Sequence, residues 1–362
     1  MQSSREHSSE SKPLLKRLAY ADQPAIRLNT VQKLAKSQLE EKLSSGVYSL
    51  EKLNECEVCD SHDFQLIGER DRYGMFHPVV ICKGCGLVTA NPRMDEKSLN
   101  NFYKEEYRPL YIGSERPKKE FFEGQLFKGQ RIYDFLLKHH YIQSRSLLVL
   151  EVGCGAGGIL KYFKNKGHQV IGIDLGAEYI NYGVKEYDLD LRVGNLKSLK
   201  LDRKPDIAIY SHVLEHLTSP VEELSNLRNL ISDRTLIYIE VPGIYNLNKG
   251  YRWDFLRYLQ SAHNYYFSLG SLSNVLTKSG YRIIMGDETV KALAIMDGLN
   301  STKPKNEYPD LVKYLEKMEW KRNFYVISVE NCTGVIVRLI LMLLNFLRLR
   351  GIVKKAFNRQ AV

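Results

Sequence analysis

The sequence of 362 residues predicts an α/β fold in which helices cover both faces of a mostly parallel sheet. From residue 147 onward, short apolar runs alternate with longer segments in which apolar residues recur at helical spacing. A glycine-rich turn follows the first of these runs, and two Cys-x-x-Cys pairs precede it in the chain. The strand-like runs are LLVLEV, IGIDL, LDLRVG, DIAIYSH and TLIYIEV.

Composition and charge restrict the class of protein. Hydrophobic residues make up 44% and charged residues 26% of the chain, as in globular proteins with a sizeable core. The net charge of +10 is uneven, because residues 333–362 hold six Lys or Arg and no acid. The remainder is only mildly basic, which disfavours a nucleic-acid-binding groove. The start, MQSSREHSSESKPLLKRL, lacks the apolar core of a signal peptide, so we expect a cytoplasmic protein whose paired cysteines bind metal.

The turn 153-GCGAGG-158 fits two kinds of cofactor. Its glycines match the dinucleotide spacing G-x-G-x-x-G, and Asp174 follows about 20 residues later, where a ribose-binding acid belongs. They equally match G-x-G-x-G, with the acidic Glu151 two residues before the first glycine. A carboxylate beside the turn would repel the pyrophosphate of a dinucleotide. It would favour S-adenosylmethionine, which carries a sulfonium and an ammonium group.

With this acid and these glycines, the sequence resembles the class I methyltransferases that use S-adenosylmethionine. The segments IGIDLG, VGNLKSL and DIAIYSHVLEHLTSP resemble the elements that follow in that family, in the same order. The resemblance implies a Rossmann-like, doubly wound sheet of seven strands in which Asp174 accepts hydrogen bonds from both ribose hydroxyls. Asn195 stands where the family commonly has an acid beside the adenine. The cofactor contacts that the resemblance implies are Glu151, Gly153, Cys154, Gly155, Gly157, Asp174, Leu175, Asn195, Leu196 and Ser211. The alternative is a structural glycine-rich turn that binds no ligand.

The resemblance extends over roughly residues 50–331. Its order implies that 323-NFYVISVEN-331 is the last strand, inserted antiparallel between its neighbours. Residues 288–322 are then an insertion before that strand, with a charged helix around 309–322.

The four paired cysteines predict a structural zinc site. Cys56 and Cys59 form one pair and Cys82 and Cys85 the other, with 22 residues between the pairs. Four thiolates complete a closed tetrahedral shell, which leaves no open position for catalysis. A pair of redox-active dithiols is the alternative. With DRYG between the pairs and NPR after them, this module resembles the N-terminal zinc ribbon of bacterial methyltransferases of surface-polysaccharide and deoxysugar biosynthesis.

We therefore expect four segments along the chain. Residues 1–54 are a polar leader and helix, 55–94 the zinc ribbon, 95–331 the methyltransferase domain, and 332–362 a basic amphipathic helix. The last segment has an apolar block too short to span a membrane. It either lies on an anionic membrane surface at the inner face or packs on protein, including a second copy of the chain.

Three histidines are candidates for a catalytic base. We favour His263, in a tyrosine-rich loop after the fifth strand, with His212 and His216 at the end of the fourth strand as the other candidates. The structural alternatives are that His216 braces a turn and that His263 packs in its loop. The expected acceptor is a sugar hydroxyl, in a nucleotide sugar or in a glycan that can be lipid-linked. An RNA methyltransferase and a non-catalytic S-adenosylmethionine-binding protein are the competing functions.

Overall fold

A computed structural model describes residues 12–113, 119–142, 145–298, 303–327 and 332 of the chain. The strands are β1 Leu50–Glu51, β2 Phe64–Arg70, β3 Phe76–Cys82, β4 Val88–Ala90, β5 Arg93–Met94, β6 Leu148–Val152, β7 Gln169–Asp174, β8 Leu191–Val193, β9 Ile207–Ser211, β10 Leu236–Glu240, β11 Tyr265–Tyr266, β12 Tyr281–Asp287 and β13 Lys291–Met296. The α-helices are α1 Thr30–Ser44, α2 Glu96–Glu105, α3 Tyr107–Ile112, α4 Lys119–Lys138, α5 Gly158–Asn165, α6 Ala177–Tyr187, α7 Pro220–Leu230, α8 Phe255–Tyr258, α9 Leu269–Lys278 and α10 Tyr308–Lys321.

A seven-stranded mixed sheet forms the centre of the fold. Its order is β12-β13-β10-β9-β6-β7-β8, and the five strands from β10 to β8 are parallel. Alternate strand residues belong to two cores. Leu150 and Ile237 pack with α7 and α9, whereas Val149 and Ile209 pack with α4 and α5. Helices therefore cover both faces, and the α/β fold with seven strands is confirmed.

The inserted antiparallel strand differs from the one that the sequence predicted. Strand β13 (Lys291–Met296) lies between β10 and β12, and it is antiparallel to both. The prediction of a strand at 323–331 is wrong where the chain is described, because Arg322–Ile327 is a 3₁₀ helix. The true strand lies in the segment that the sequence assigned to an insertion. A tight hairpin leads into it from β12, and in this turn the Asp287 carboxylate accepts from the Thr289 N–H at 2.7 Å. The predicted charged helix is confirmed as α10.

The cysteine-bearing module shares a sheet with a distant part of the chain. Strands β2, β3 and β4 form an antiparallel sheet, and β11 adds to its edge by pairing Tyr265 with Thr89. Cys56 and Cys85 pack in the same core as Tyr265 and Leu272. The module is thus continuous with the large sheet's core, and it holds the loop that follows β10.

The C-terminal prediction falls outside the described residues, apart from Cys332. Within the described part of the chain, no helix combines the length and apolarity that a bilayer crossing requires.

Candidate functional site

The glycine turn joins β6 to α5 at the carboxyl edge of the sheet. Gly153 has φ of +69°, a conformation that residues with a side chain rarely adopt. A Cβ on Gly153 would also lie 2.5 Å from Cγ2 of Val213, in the loop after β9. The glycine therefore allows two neighbouring loops to approach each other at this edge.

Asp174 ends β7 and is held by backbone N–H groups of the turns around it. Its Oδ2 accepts from Gly155 N at 2.9 Å and its Oδ1 accepts from Gly176 N at 2.7 Å. Each carboxylate oxygen can accept more than one hydrogen bond. Asp174 also lines the adjoining cleft, so its remaining lone pairs are available to hydroxyl donors of a ligand.

A cleft of about 790 Å³ opens over this edge of the sheet, a volume within the usual range of small-molecule sites. The predicted site residues separate into two groups. Those that line the cleft are Gly153, Asp174, Leu175, Asn195, His212 and His216. Those outside its lining are Glu151, Cys154, Gly155, Gly157, Leu196, Ser211 and His263.

Two of the residues outside the lining are buried, one just before the glycine turn and one within it. Glu151 is 3% exposed, and burial raises the pKa of its carboxyl well above the ordinary value, opposed by Lys128. The thiol of Cys154 packs in the core on the α5 side instead of facing the cleft. A Cβ added to Gly172 of β7 would lie 2.6 Å from the Sγ atom of Cys154.

The opposite wall of the cleft comes from helices whose role the sequence did not reveal. Tyr103 of α2 and Tyr107 and Arg108 of α3 line it. The guanidinium of Arg108 lies 4.3 Å from the ring centroid of Tyr179, and the Tyr107 ring packs edge-on against His216 at 5.6 Å. Their signal was the stretch 103-YKEEYRPLY-111, in which aromatic residues recur at helical spacing around a single arginine.

An acid and three imidazoles lie close together beside the cleft. Glu215 Oε1 lies 3.2 Å from His212 Nδ1 and 3.8 Å from His216 Nε2. The His263 ring packs edge-on against His216, with centroids 4.7 Å apart. Coordinating atoms of Glu215, His216 and His263 all lie within 4.8 Å of one another. Candidate bases from two separate parts of the sequence are therefore neighbours in the fold.

Comparison with known proteins identifies the central part of the chain. Residues 123–285 match a sequence family described as a methyltransferase domain. These residues are similar to a methyltransferase domain. The matched range includes the glycine turn, Asp174 and the three histidines, and it ends before β13.

Individual relatives are distant. The C-methyltransferase NovU of Streptomyces niveus is 23% identical over 254 residues, which cover 64% of this chain and 57% of NovU. The chain thus spans little more than half the length of that curated relative. Among solved structures, the magnesium protoporphyrin IX methyltransferase of Synechocystis aligns over 56% of this chain and over all of its own length. The aligned residues are 15% identical, and the TM-score is 0.42. A methyltransferase of Aquifex aeolicus aligns with 17% identity, 56% of this chain, 99% of that chain and a TM-score of 0.37.

Outside the matched methyltransferase domain, the four paired cysteines converge. Cys56 Sγ lies 3.6 Å from Cys85 Sγ, and Cys59 Sγ lies 3.4 Å from Cys82 Sγ. A tetrahedral zinc shell with Zn–S bonds of about 2.3 Å puts sulfurs about 3.8 Å apart, so the four thiols fit this ion closely. A Cβ on Gly84 would lie 2.9 Å from Cys59 Sγ, so the second cysteine pair needs a glycine there.

Proposed function

We propose that this chain is an S-adenosylmethionine-dependent methyltransferase. The observation that carries the proposal is the Asp174 carboxylate, fixed by two N–H groups at the wall of the cleft beside the glycine turn. It can accept from both ribose hydroxyls of the cofactor. A dinucleotide would place its pyrophosphate on the same turn, close to the Asp174 carboxylate at the wall of the cleft, which disfavours an anion.

Isothermal titration calorimetry tests the choice of cofactor. We expect S-adenosylhomocysteine to bind and NAD to show no comparable affinity. NAD binding more tightly than S-adenosylhomocysteine would overturn the methyltransferase assignment.

Asp174→Ala provides a sharper test of the cofactor position. Loss of the carboxylate should weaken S-adenosylhomocysteine binding by about 1.5–3 kcal/mol, the usual value of hydrogen bonds to a charged group. Asp190→Ala is the matched control, because Asp190 pairs with Arg192 on the surface at 3.0 Å and lies outside the cleft. Equal affinities of the two variants would place the ribose elsewhere.

The cysteine cluster would hold one zinc ion in a closed shell of Cys56, Cys59, Cys82 and Cys85. Such an ion supplies folding free energy and takes no part in the reaction. Strand β11 couples that stabilisation to the methyltransferase domain by adding to the module's sheet.

The proposed acceptor is a sugar hydroxyl, in a nucleotide sugar or a surface glycan. Support comes from the wall of Tyr103, Tyr107 and Arg108, since aromatic faces pack against sugar rings and arginine recognises phosphate. Carbon methylation is the second candidate, because the name of the relative NovU describes a C-methyltransferase. Methyl transfer to a panel of nucleotide sugars, with the methylated atom located by NMR, separates the two.

Of the three candidate bases, the hydrogen bonds favour His216. Its Nδ1 lies 2.9 Å from the carbonyl oxygen of Ala262, which can only accept, so the ring proton is on Nδ1 and Nε2 has a free lone pair. Glu215 lies beside Nε2 and would stabilise the imidazolium that forms on proton transfer. Methyl transfer from a sulfonium is an in-line displacement, so the walls of the cleft contribute by aligning the reactants and the base by removing the hydroxyl proton.

A further inference from the structure

The side chain of Gln260 has only one possible orientation between its two partners. The Arg72 Nη2 group donates to Gln260 Oε1, and Gln260 Nε2 contacts His263 Nε2. A guanidinium has donors and no acceptor, so the atom that faces Arg72 must be the amide oxygen. The amide nitrogen of Gln260 therefore faces His263.

This orientation determines the tautomer of His263. The amide nitrogen of Gln260 can only donate, so His263 Nε2 must accept with its lone pair. A neutral imidazole has a single N–H, which is then on Nδ1. The pKa of His263 is well below its ordinary value, first because of burial and then because of nearby His216, so the ring is neutral at pH 7.

The segment that carries Gln260 and His263 is fixed to the module by further hydrogen bonds. The Asp71 carboxylate accepts from Ser261 N at 2.9 Å, and Arg72 N donates to the Leu259 carbonyl at 3.0 Å. Asp71 and Arg72 belong to the DRYG sequence between the two cysteine pairs. That sequence therefore positions the histidine loop.

The three-residue group next to the cleft then has one donor and two acceptors. His263 Nδ1 donates, while His216 Nε2 and the Glu215 carboxylate accept. Neither His263 Nδ1 nor Glu215 Oε2, both buried, has a hydrogen-bond partner among the described residues. A cation does not fit, because the proton on His263 Nδ1 occupies the position of a ligand lone pair. A hydroxyl fits, because its oxygen both accepts and donates.

We propose that the acceptor hydroxyl enters past His216, which lines the cleft, and binds to His216 together with Glu215 and His263, which are buried outside its lining. Arg72 and Gln260 are then positioning residues that hold His263 as a donor. The chemical step rests on the proposed methyltransferase function, whereas the tautomer does not.

The hydroxyl oxygen accepts from His263 Nδ1–H and attacks the methyl carbon of the sulfonium. The carbon–sulfur bond breaks with its electron pair moving to sulfur, and the hydroxyl proton moves to His216 Nε2. The products are a methyl ether, S-adenosylhomocysteine and an imidazolium that returns its proton to solvent.

Gln260→Glu is the variant that reverses the tautomer. Glutamate is nearly isosteric and only accepts, so it still pairs with Arg72 but requires the proton on His263 Nε2. We expect ¹⁵N NMR of the full-length zinc-loaded protein to show a protonated Nδ1 in the wild type and a protonated Nε2 in Gln260→Glu. Arg72→Lys retains a donor to Gln260 and should keep the wild-type tautomer. A wild-type His263 protonated on Nε2 would overturn the proposal, whatever the methyl-transfer activity.

Two further measurements separate a hydroxyl site from other uses of the same residues. Mn²⁺ titrated into the zinc-loaded wild-type protein should not bind at this group. Mn²⁺ binding that is present in the wild type and lost in His263→Ala would make the group a cation site and overturn the proposal. Turnover of the acceptor found in the nucleotide-sugar panel should fall at least tenfold in Gln260→Glu, with unchanged affinity for S-adenosylhomocysteine. Unchanged turnover with a reversed tautomer would show that His263 does not bind the acceptor. Absence of turnover in the wild type would contradict the proposed function and leave the NMR test decisive for the tautomer.

Discussion

Replacing His216 with Ala is expected to lower kcat for methyl transfer by about 10²–10⁴-fold, the usual contribution of a general base. The ring lies at the wall of the cleft, and the Ala262 carbonyl holds its proton on Nδ1. Affinity for S-adenosylhomocysteine should stay within about twofold, because the proposed ribose contact is at Asp174. Steady-state kinetics together with calorimetry measure both quantities.

The pH profile identifies the base more specifically than the loss of rate. Burial lowers the pKa of His216 below 6.5, opposed by the neighbouring Glu215 carboxylate. A base acts when unprotonated, so kcat should be at its plateau at pH 7 and fall only as the pH drops through a value below 6.5. The residual activity of His216→Ala should lack this acidic limb.

His212→Ala is the matched control for His216→Ala. His212 also lines the cleft and also contacts Glu215, but its side chain is 39% exposed and forms no hydrogen bond to Ala262. We expect a much smaller loss of turnover in this variant. A larger loss than in His216→Ala, or an acidic limb that disappears only in His212→Ala, would transfer the role of base to His212.

The parts of the site that the sequence predicted depend on local spacing. The glycines, Asp174 and the cysteine pairs can be found because short spacing along the chain determines their geometry at a strand end or in a tight turn. Strand β13 was missed because it is defined by a hairpin to β12 and by burial of Ala292 and Leu293, which short-range periodicity does not reveal. The predicted helix at 332–362 stays a prediction.

The juxtaposition of His216 and His263 could not be predicted in the same way. It depends on β11 adding to the module's sheet and on Asn264 N donating to the Glu215 carbonyl at 2.8 Å. Both are contacts between segments far apart in sequence. The identity of each histidine was visible, but its proton position is determined by Ala262 and Gln260, which have no sequence signature of catalysis.

Replacing Cys82 with Ser should remove the metal and unfold the cysteine module. We expect the zinc content to fall from about one ion per chain to a small fraction, because serine is a poor ligand for zinc. Binding of structural zinc is worth about 10–16 kcal/mol in small zinc peptides, so the free energy of unfolding of the module should decrease by several kcal/mol. Elemental analysis and thermal denaturation monitor the two changes.

The order in which functions are lost tests whether the module positions the acceptor side of the site. The module's sheet holds β11, and Ser219 after the Glu215–His216 turn donates to Glu57, between the first two cysteines, at 2.9 Å. Turnover should therefore fall in Cys82→Ser under conditions where S-adenosylhomocysteine still binds, since Asp174 and the glycine turn belong to the parallel sheet.

Cys332→Ser is the control, because Cys332 is exposed and outside the cluster. Wild-type protein purified without chelators that contains no zinc would contradict the metal site. Simultaneous loss of turnover and cofactor binding in Cys82→Ser would instead mean that the module and the large sheet unfold as one unit.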